Sequence, residues 1–155
     1  MSSLAVPIAS RTNRKRLALI GAAVLVIFLW PVSYLASPRW DVQVVDENGK
    51  PRTRANVRLV YQNYSVEGNS HEITLQADDH GQVSFPPQYL RATLIQRMLF
   101  TASSAMAGVH TSFGRHAYVF AFGDSYEGEA VQDNYVVDWR GVPNSMKSKI
   151  VAKSK

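Results

Sequence analysis

The sequence predicts a mainly β protein: a β-sandwich carrying one inserted amphipathic helix and preceded by a single transmembrane helix. Three observations predict it. An uncharged run of twenty residues, Leu17 to Ala36, lies near the amino end; short segments of alternating apolar and polar residues recur at roughly ten-residue intervals from Trp40 to Phe85; and from Gln88 to Gly108 the apolar spacing changes to a helical period. At 155 residues the chain has room for one such body and little more.

The uncharged run comes first. As a helix, twenty residues extend about 30 Å, the thickness of a bilayer's hydrocarbon core, so residues 17–37 are expected to form a signal-anchor helix. Trp30 and Tyr34 lie toward its far end, where amphipathic rings favour the interface, and Pro31 is tolerable in the last turns of a membrane helix. Arg11, Arg14, Lys15 and Arg16 precede the run and only Arg39 closely follows it. The positive-inside rule then keeps residues 1–16 in the cytoplasm and exports the rest, which predicts a bacterial inner-membrane protein with a periplasmic carboxyl-terminal domain. A cleaved signal peptide is the rival reading. It lacks a cleavage site, because cutting after Ala36 sets Tyr34 at the −3 position and cutting after Ser37 sets Leu35 there with Pro38 following the cut.

The strands come next, in a body expected over 40–141. Trp40 to Asp46 alternates with Val42 and Val44 on one face, and Asp46-Glu47-Asn48-Gly49-Lys50-Pro51 supplies a hairpin-type turn. Asn56 to Asn63 alternates through Val57, Leu59 and Tyr61; His71 to Gln76 through Ile73 and Leu75; and Gln82 to Phe85 through Val83 and Phe85, after the turn Ala77 to Gly81 and before Pro86-Pro87.

These residues resemble a family. Val42-x-Val44, Asp46-x-Asn48-Gly49-Lys50-Pro51, Ala55-x-Val57, then Thr74, Asp78, Asp79, Gly81 and Phe85-Pro86 are similar to the carboxypeptidase regulatory-like, or transthyretin-like (prealbumin-like), β-sandwich domains, over about 46 of the 155 residues. The resemblance implies a seven-stranded, immunoglobulin-like sandwich that in most contexts is a non-catalytic binding or assembly module. One branch of the transthyretin-like fold hydrolyses a purine-catabolism intermediate and ends in Tyr-Arg-Gly-Ser. Here only Trp139-Arg140-Gly141-Val142 is present, so that analogy lacks its residues.

The helical segment departs from a plain sandwich. Over about 88–108, Leu90, Leu94, Ile95, Met98, Leu99, Ala102 and Met106 share one face against Arg91, Gln96, Arg97 and Ser104, with Gly108 as the stop. Such a helix either covers an open sheet face or lies on a membrane or partner helix. Val109 to Phe113 and Ala117 to Gly123 predict a hairpin whose second strand, apolar on both faces, is central and buried on both sides. Tyr135 to Arg140 reads as the last strand and 142–155 as a mobile basic tail.

Charge sorts the function classes. The net charge of +5 is unevenly placed: residues 1–39 hold five basic and no acidic side chains, the last nine residues add four lysines, and 40–146 hold eight basic against twelve acidic. The body is net acidic and its basic ends fall on opposite sides of the expected membrane, which excludes a nucleic-acid binder. Absence of cysteine excludes disulfides, thiolate catalysis and cysteine zinc sites. No HExxH, GxSxG or glycine-rich phosphate loop occurs, and the carboxylates Asp78, Asp79, Asp124, Glu127, Glu129 and Asp133 lack EF-hand spacing. No catalytic residue, metal or cofactor is therefore assigned.

The function expected is that of a membrane-anchored envelope protein with a non-enzymatic interaction or structural module. Its partners are the bilayer, through 17–37, and a membrane or envelope protein, in an oligomeric state left open. Arg91, Arg97, Tyr126 and Tyr135 are the candidate contacts. Two alternatives stand beside it. One is a ligand-binding or hydrolytic cleft around His71, His110 and His116; the other is a carbohydrate-binding face built on Trp40 or Trp139.

Overall fold

Where apolar and polar residues alternate, a strand has one face to bury, and two sets of such strands find each other here. The computed structural model describes residues 11–106, 112–132 and 135–154. One sheet runs in the order β12 (Ser145–Val151), β2 (Arg39–Val45), β5 (Gln82–Phe85). The larger sheet runs β13 (Lys153–Ser154), β8 (Tyr126–Glu129), β7 (Arg115–Gly123), β3 (Asn56–Asn63), β4 (His71–Gln76), with β11 (Asp138–Trp139) also paired to β7. Trp40, Val42, Val44, Phe85 and Ile150 from the first meet Val57, Leu59, Val119, Ala121 and Trp139 from the second in one core. The two central indoles are wholly buried and find partners: Trp40 Nε1 donates to Ser148 Oγ at 3.0 Å and Trp139 Nε1 to the Pro143 carbonyl at 2.6 Å.

The chain crosses between sheets at two turns of the same chemistry. At Asp46 the carboxylate accepts the amides of Asn48 and Lys50 (2.9 and 2.8 Å); at Asp78 it accepts those of His80 and Gln82 (2.9 and 2.8 Å). Three residues on, Gly49 and Gly81 take φ of 80° and 72°, a region that glycine enters without steric cost. The first turn, expected to close a hairpin, instead delivers the chain from β2 in the small sheet to β3 in the large one, because the inner face of β3 fits the opposite wall of the core. The described body also departs from the seven strands implied by resemblance. Two additional pairs flank it: β1 (Val32–Ser37) with β6 (Gln88–Ala92), and β9 (Val131–Gln132) with β10 (Tyr135–Val136).

Four expectations need correction. The apolar run is not one rod: helix α1 spans Arg11–Leu29, and β1 follows as a strand pairing Val32 with Ala92 and Tyr34 with Leu90. Pro31 explains the break, since it offers no amide to continue the helix and biases Trp30 away from helical geometry. Among the described residues no helix is long and apolar enough to cross a membrane, α1 including the basic cluster in its 19 residues. Second, the helix expected over 88–108 is shorter. Gln88–Ala92 is claimed by β1, and α2 spans Leu94–Met106, capped by Thr93, whose hydroxyl accepts the Gln96 amide at 3.1 Å. Gly108 lies outside the described residues.

Third, α2 does not cover the sheet, and none of its residues is buried. Strand β7 is central, between β3 and β8, yet only its inner side, Ala117, Val119 and Ala121, is fully buried; Tyr118, Phe120 and Phe122 on the other side are half-buried. Of the hairpin partner expected for it, Val109–Thr111 lie outside the described residues, and Ser112 and Phe113 are not in a strand. Fourth, residues 142–155 are not a tail. Strand β12 runs parallel to β2 from Ser145↔Arg39 to Val151↔Val45, β13 pairs with β8, and Ile150 and Ala152 are buried, so the body continues to Ser154.

Two outcomes are expected. Ile150→Ala lowers stability by about 2–5 kcal/mol, because a fully buried side chain leaves a cavity where the two sheets meet; chemical denaturation measures it, and a loss under about 1 kcal/mol contradicts a structural carboxyl end. Asp78→Ala lowers Tm at neutral pH. The Gln82 amide, then that of His80, hold the Asp78 carboxyl below its ordinary pKa against an opposing effect of burial. Its contribution is therefore present above the unfolded value of about 3.9 and is lost as pH falls through the lower folded value. The Tm gap between parent and variant narrows below that pH, and a pH-independent gap contradicts the assignment.

Candidate functional site

Strand register decides which of the proposed side chains can act together. Tyr61 on β3 stands opposite His71 on β4 and Ala117 on β7, while Gln62 stands opposite His116. Successive residues on a strand point to opposite faces, so His71 shares the inner face with Tyr61 and His116 faces outward. The Tyr61 and His71 rings stack at 5.4 Å, and His71 Nε2 lies 3.0 Å from both carboxylate oxygens of Glu67. Burial first, and the Glu67 charge second, push the Tyr61 hydroxyl pKa upward. His116 Nε2 instead lies 3.4 Å from Asp138 Oδ2. The cleft expected around His71, His110 and His116 is thus not assembled: two of its members sit on opposite faces of one sheet, and His110 lies outside the described residues. The carbohydrate platform fails similarly, because Trp40 and Trp139 have no exposed surface.

The candidate contacts separate into different roles. Tyr126 is a core residue: its hydroxyl accepts the Asn56 amide at 2.9 Å, and the Arg52 guanidinium lies 3.9 Å from its ring centroid. Arg91 lies on β6 rather than on the helix, opposite Ser33, and is exposed. Arg97 lies on α2, exposed, with its guanidinium 5.3 Å from the Tyr34 ring. Tyr135 pairs with Gln132 through the backbone; its side chain lies outside the described residues. Asp78 is engaged in its turn, and Asp133 lies outside the described residues.

Two surfaces remain that water does not favour. On the outer side of β7, Tyr64, His116, Tyr118, Phe120 and Phe122 form a file of neighbouring rings 5.6 to 6.3 Å apart. Arg58, paired with Glu72 at 2.9 Å, lies 4.7 Å from the Phe122 centroid. Phe120 and Phe122 continue into an open groove of about 880 Å³ whose rim carries Glu127, Glu129, Lys149 and Lys153. The sequence held the signal, since Ala117, Val119 and Ala121 alternate with Tyr118, Phe120 and Phe122. Small residues mark the close-packed face and rings the other.

The second surface is helical. Along α1, Leu17, Leu19, Ile20, Val24, Leu25, Val26, Ile27 and Leu29 are each about half or more exposed, and Trp30 is 65% exposed. At 100° per residue these positions run all the way round the helix. The small sheet's outer face is chemically the opposite. Asp41 accepts from Ser84 Oγ at 2.6 Å and pairs with Arg39 at 3.2 Å, contacts that, with Ser84 leading, lower its pKa in a polar, solvated setting beside Lys147.

No family model matches the chain, and no curated protein does. Among solved structures, 3-chlorocatechol 1,2-dioxygenase from Rhodococcus opacus 1CP is similar at 16% identity and a TM-score of 0.41, over 77% of this chain and 61% of that one. A 9R-lipoxygenase from Cyanothece PCC8801 is similar at 13% identity and a TM-score of 0.33, over 90% of this chain and 20% of that one. The chain therefore spans less than two thirds of either structure.

Tyr126→Phe tests the core role. It leaves the Asn56 amide without its acceptor in a partly buried site and is expected to cost about 1–3 kcal/mol in chemical denaturation; an unchanged midpoint contradicts it.

Proposed function

We propose that the chain is a membrane-attached envelope protein whose β-sandwich, of the carboxypeptidase regulatory-like kind, is a non-catalytic interaction module. The exposed, all-round apolar surface of α1 carries this reading. In water eight large apolar side chains stay solvated, and burying each is worth about 1.5–3 kcal/mol, so transfer to lipid gains on the order of 10 kcal/mol. The apolar part, Leu17 to Leu29, extends only about 20 Å against a hydrocarbon core of about 30 Å. Mismatch costs fractions of a kcal/mol per Å, which over about 10 Å is less than the gain, and Arg14, Lys15 and Arg16 can snorkel to the headgroups. A helix lying flat would leave half its circumference in water. The apolar ring thus favours insertion end-on, with the basic end inside and the sandwich outside.

The interaction role draws on the aromatic file and on the groove of Phe120 and Phe122, where charges of both signs rim an apolar floor in the pattern of protein interfaces. Arg91 and Arg97 remain candidate contacts because they are exposed.

The intact chain expressed in bacteria is expected in the membrane fraction, resistant to alkaline carbonate. Val24→Arg with Leu25→Arg, which places two charges in mid-helix at about 2.5–3.5 kcal/mol each, is expected to shift it to the extractable fraction. Parent protein released by carbonate would contradict attachment.

A further inference from the structure

Helix α2 has two sides with different surroundings. Gln96, Phe100 and Ser104, one turn apart, face the loop after β3: Gln96 Nε2 donates to the Val66 carbonyl at 3.2 Å, Ser104 Oγ to the Tyr64 carbonyl at 3.3 Å, and the Phe100 ring lies over Gly68. Opposite, Ile95, Met98, Leu99, Ala102 and Met106 fall within an arc of about 100°. Of these, Met98, Leu99 and Met106 are 56%, 65% and 88% exposed. The helix is therefore fixed to the body by polar bonds while its apolar stripe is left largely uncovered.

We propose that α2 is an in-plane interfacial helix that seats the sandwich on the outer leaflet, its stripe sunk to the boundary of headgroups and acyl chains. The inference rests on attachment through α1 and adds a second, surface-parallel contact. Position argues for lipid as the occupant: α2 packs beside α1, and its first residue closely follows Ala92, which pairs with Val32 just after α1 ends. The start of α2 thus lies near the end of α1, where an inserted α1 would leave the lipid. Charge argues the same way. From His80 to Gly123 the sequence has no acidic residue, although the rest of the body is rich in them, so this stretch lacks the charge an anionic leaflet would repel, and Arg91, exposed on β6, adds a positive one. Exposed Trp30 and Tyr89, at 65% and 62%, supply rings suited to the same depth.

The chain lacks cysteine, so single cysteines can report depth in the full-length protein. Leu25→Cys on α1, Leu99→Cys and Met98→Cys on α2, and Glu47→Cys in the Asp46 turn are each labelled with an environment-sensitive fluorophore. The labelled chains are reconstituted in vesicles of phosphatidylcholine and phosphatidylglycerol bearing a shallow nitroxide lipid. The expected result is a blue shift with quenching at positions 25, 98 and 99 and neither at 47. Quenching at 25 with aqueous emission at both 98 and 99 would overturn the seating of α2 while leaving attachment intact. A blue shift at 98 and 99 without nitroxide quenching would put a protein surface over the stripe and overturn it as well. Aqueous emission at 25, 98 and 99 together would remove attachment and the seating with it.

Discussion

The parallel pairing of Ser145–Val151 with Arg39–Val45 is the interaction on which the body depends. Without it β2 would hold only the four residues of β5, and the wall of the core carrying Trp40, Val42 and Val44 would be an unfinished edge. The strand supplies Ile150 to the core and Ser148 as acceptor for the Trp40 indole, while Ala130 bridges to Ile150. The chain then passes from one sheet to the other, through the Ala152 amide bonded to the Val45 carbonyl at 2.8 Å, and adds β13 to β8. One segment closes both sheets, through a parallel pairing that joins the two ends of the body's sequence.

The two aspartate turns serve the same closure from the other side. Each sits where the chain leaves one sheet for the other, and they are joined: the Val44 amide donates to the Gly81 carbonyl at 2.8 Å and the Arg52 amide to the Val44 carbonyl at 3.0 Å. A carboxylate that accepts two backbone amides fixes the direction in which the chain departs. That direction matters more here than in a hairpin, because it selects the opposite sheet as destination.

Local chemistry is legible in the sequence and long-range partnership is not. The alternation of β2, β3 and β5, the Asp46 and Asp78 turns and the amphipathic stripe of α2 follow from residues close together, and the structure holds all of them. The strand at Ser145–Val151 is hidden because Lys147 and Lys149 occupy its outward positions. Only Met146, Ser148 and Ile150 face inward, a weak pattern that acquires meaning from β2, over a hundred residues earlier. Gln88–Ala92 reads as helix for a related reason: its apolar residues fit a helical period as well as a strand, and the choice is made by β1. The histidine cleft fails on register, since a shift of one residue across β3 is enough to place His71 and His116 on opposite faces.

The period of the apolar residues also separates three solvents. In the strands it is two, and one face meets the other sheet. In α2 it is a stripe, with polar bonds to the body on the reverse. In α1 there is no period, and apolar side chains point in every direction. A core can satisfy the first pattern and a boundary between water and an apolar phase the second, but the third has no satisfactory side to turn toward water. Pro31 stands where the third pattern gives way to the first. Residues that read as one apolar run therefore divide into a helix for which the body offers little cover and a strand, β1, whose Ala36 and Ser37 are already fully buried in it.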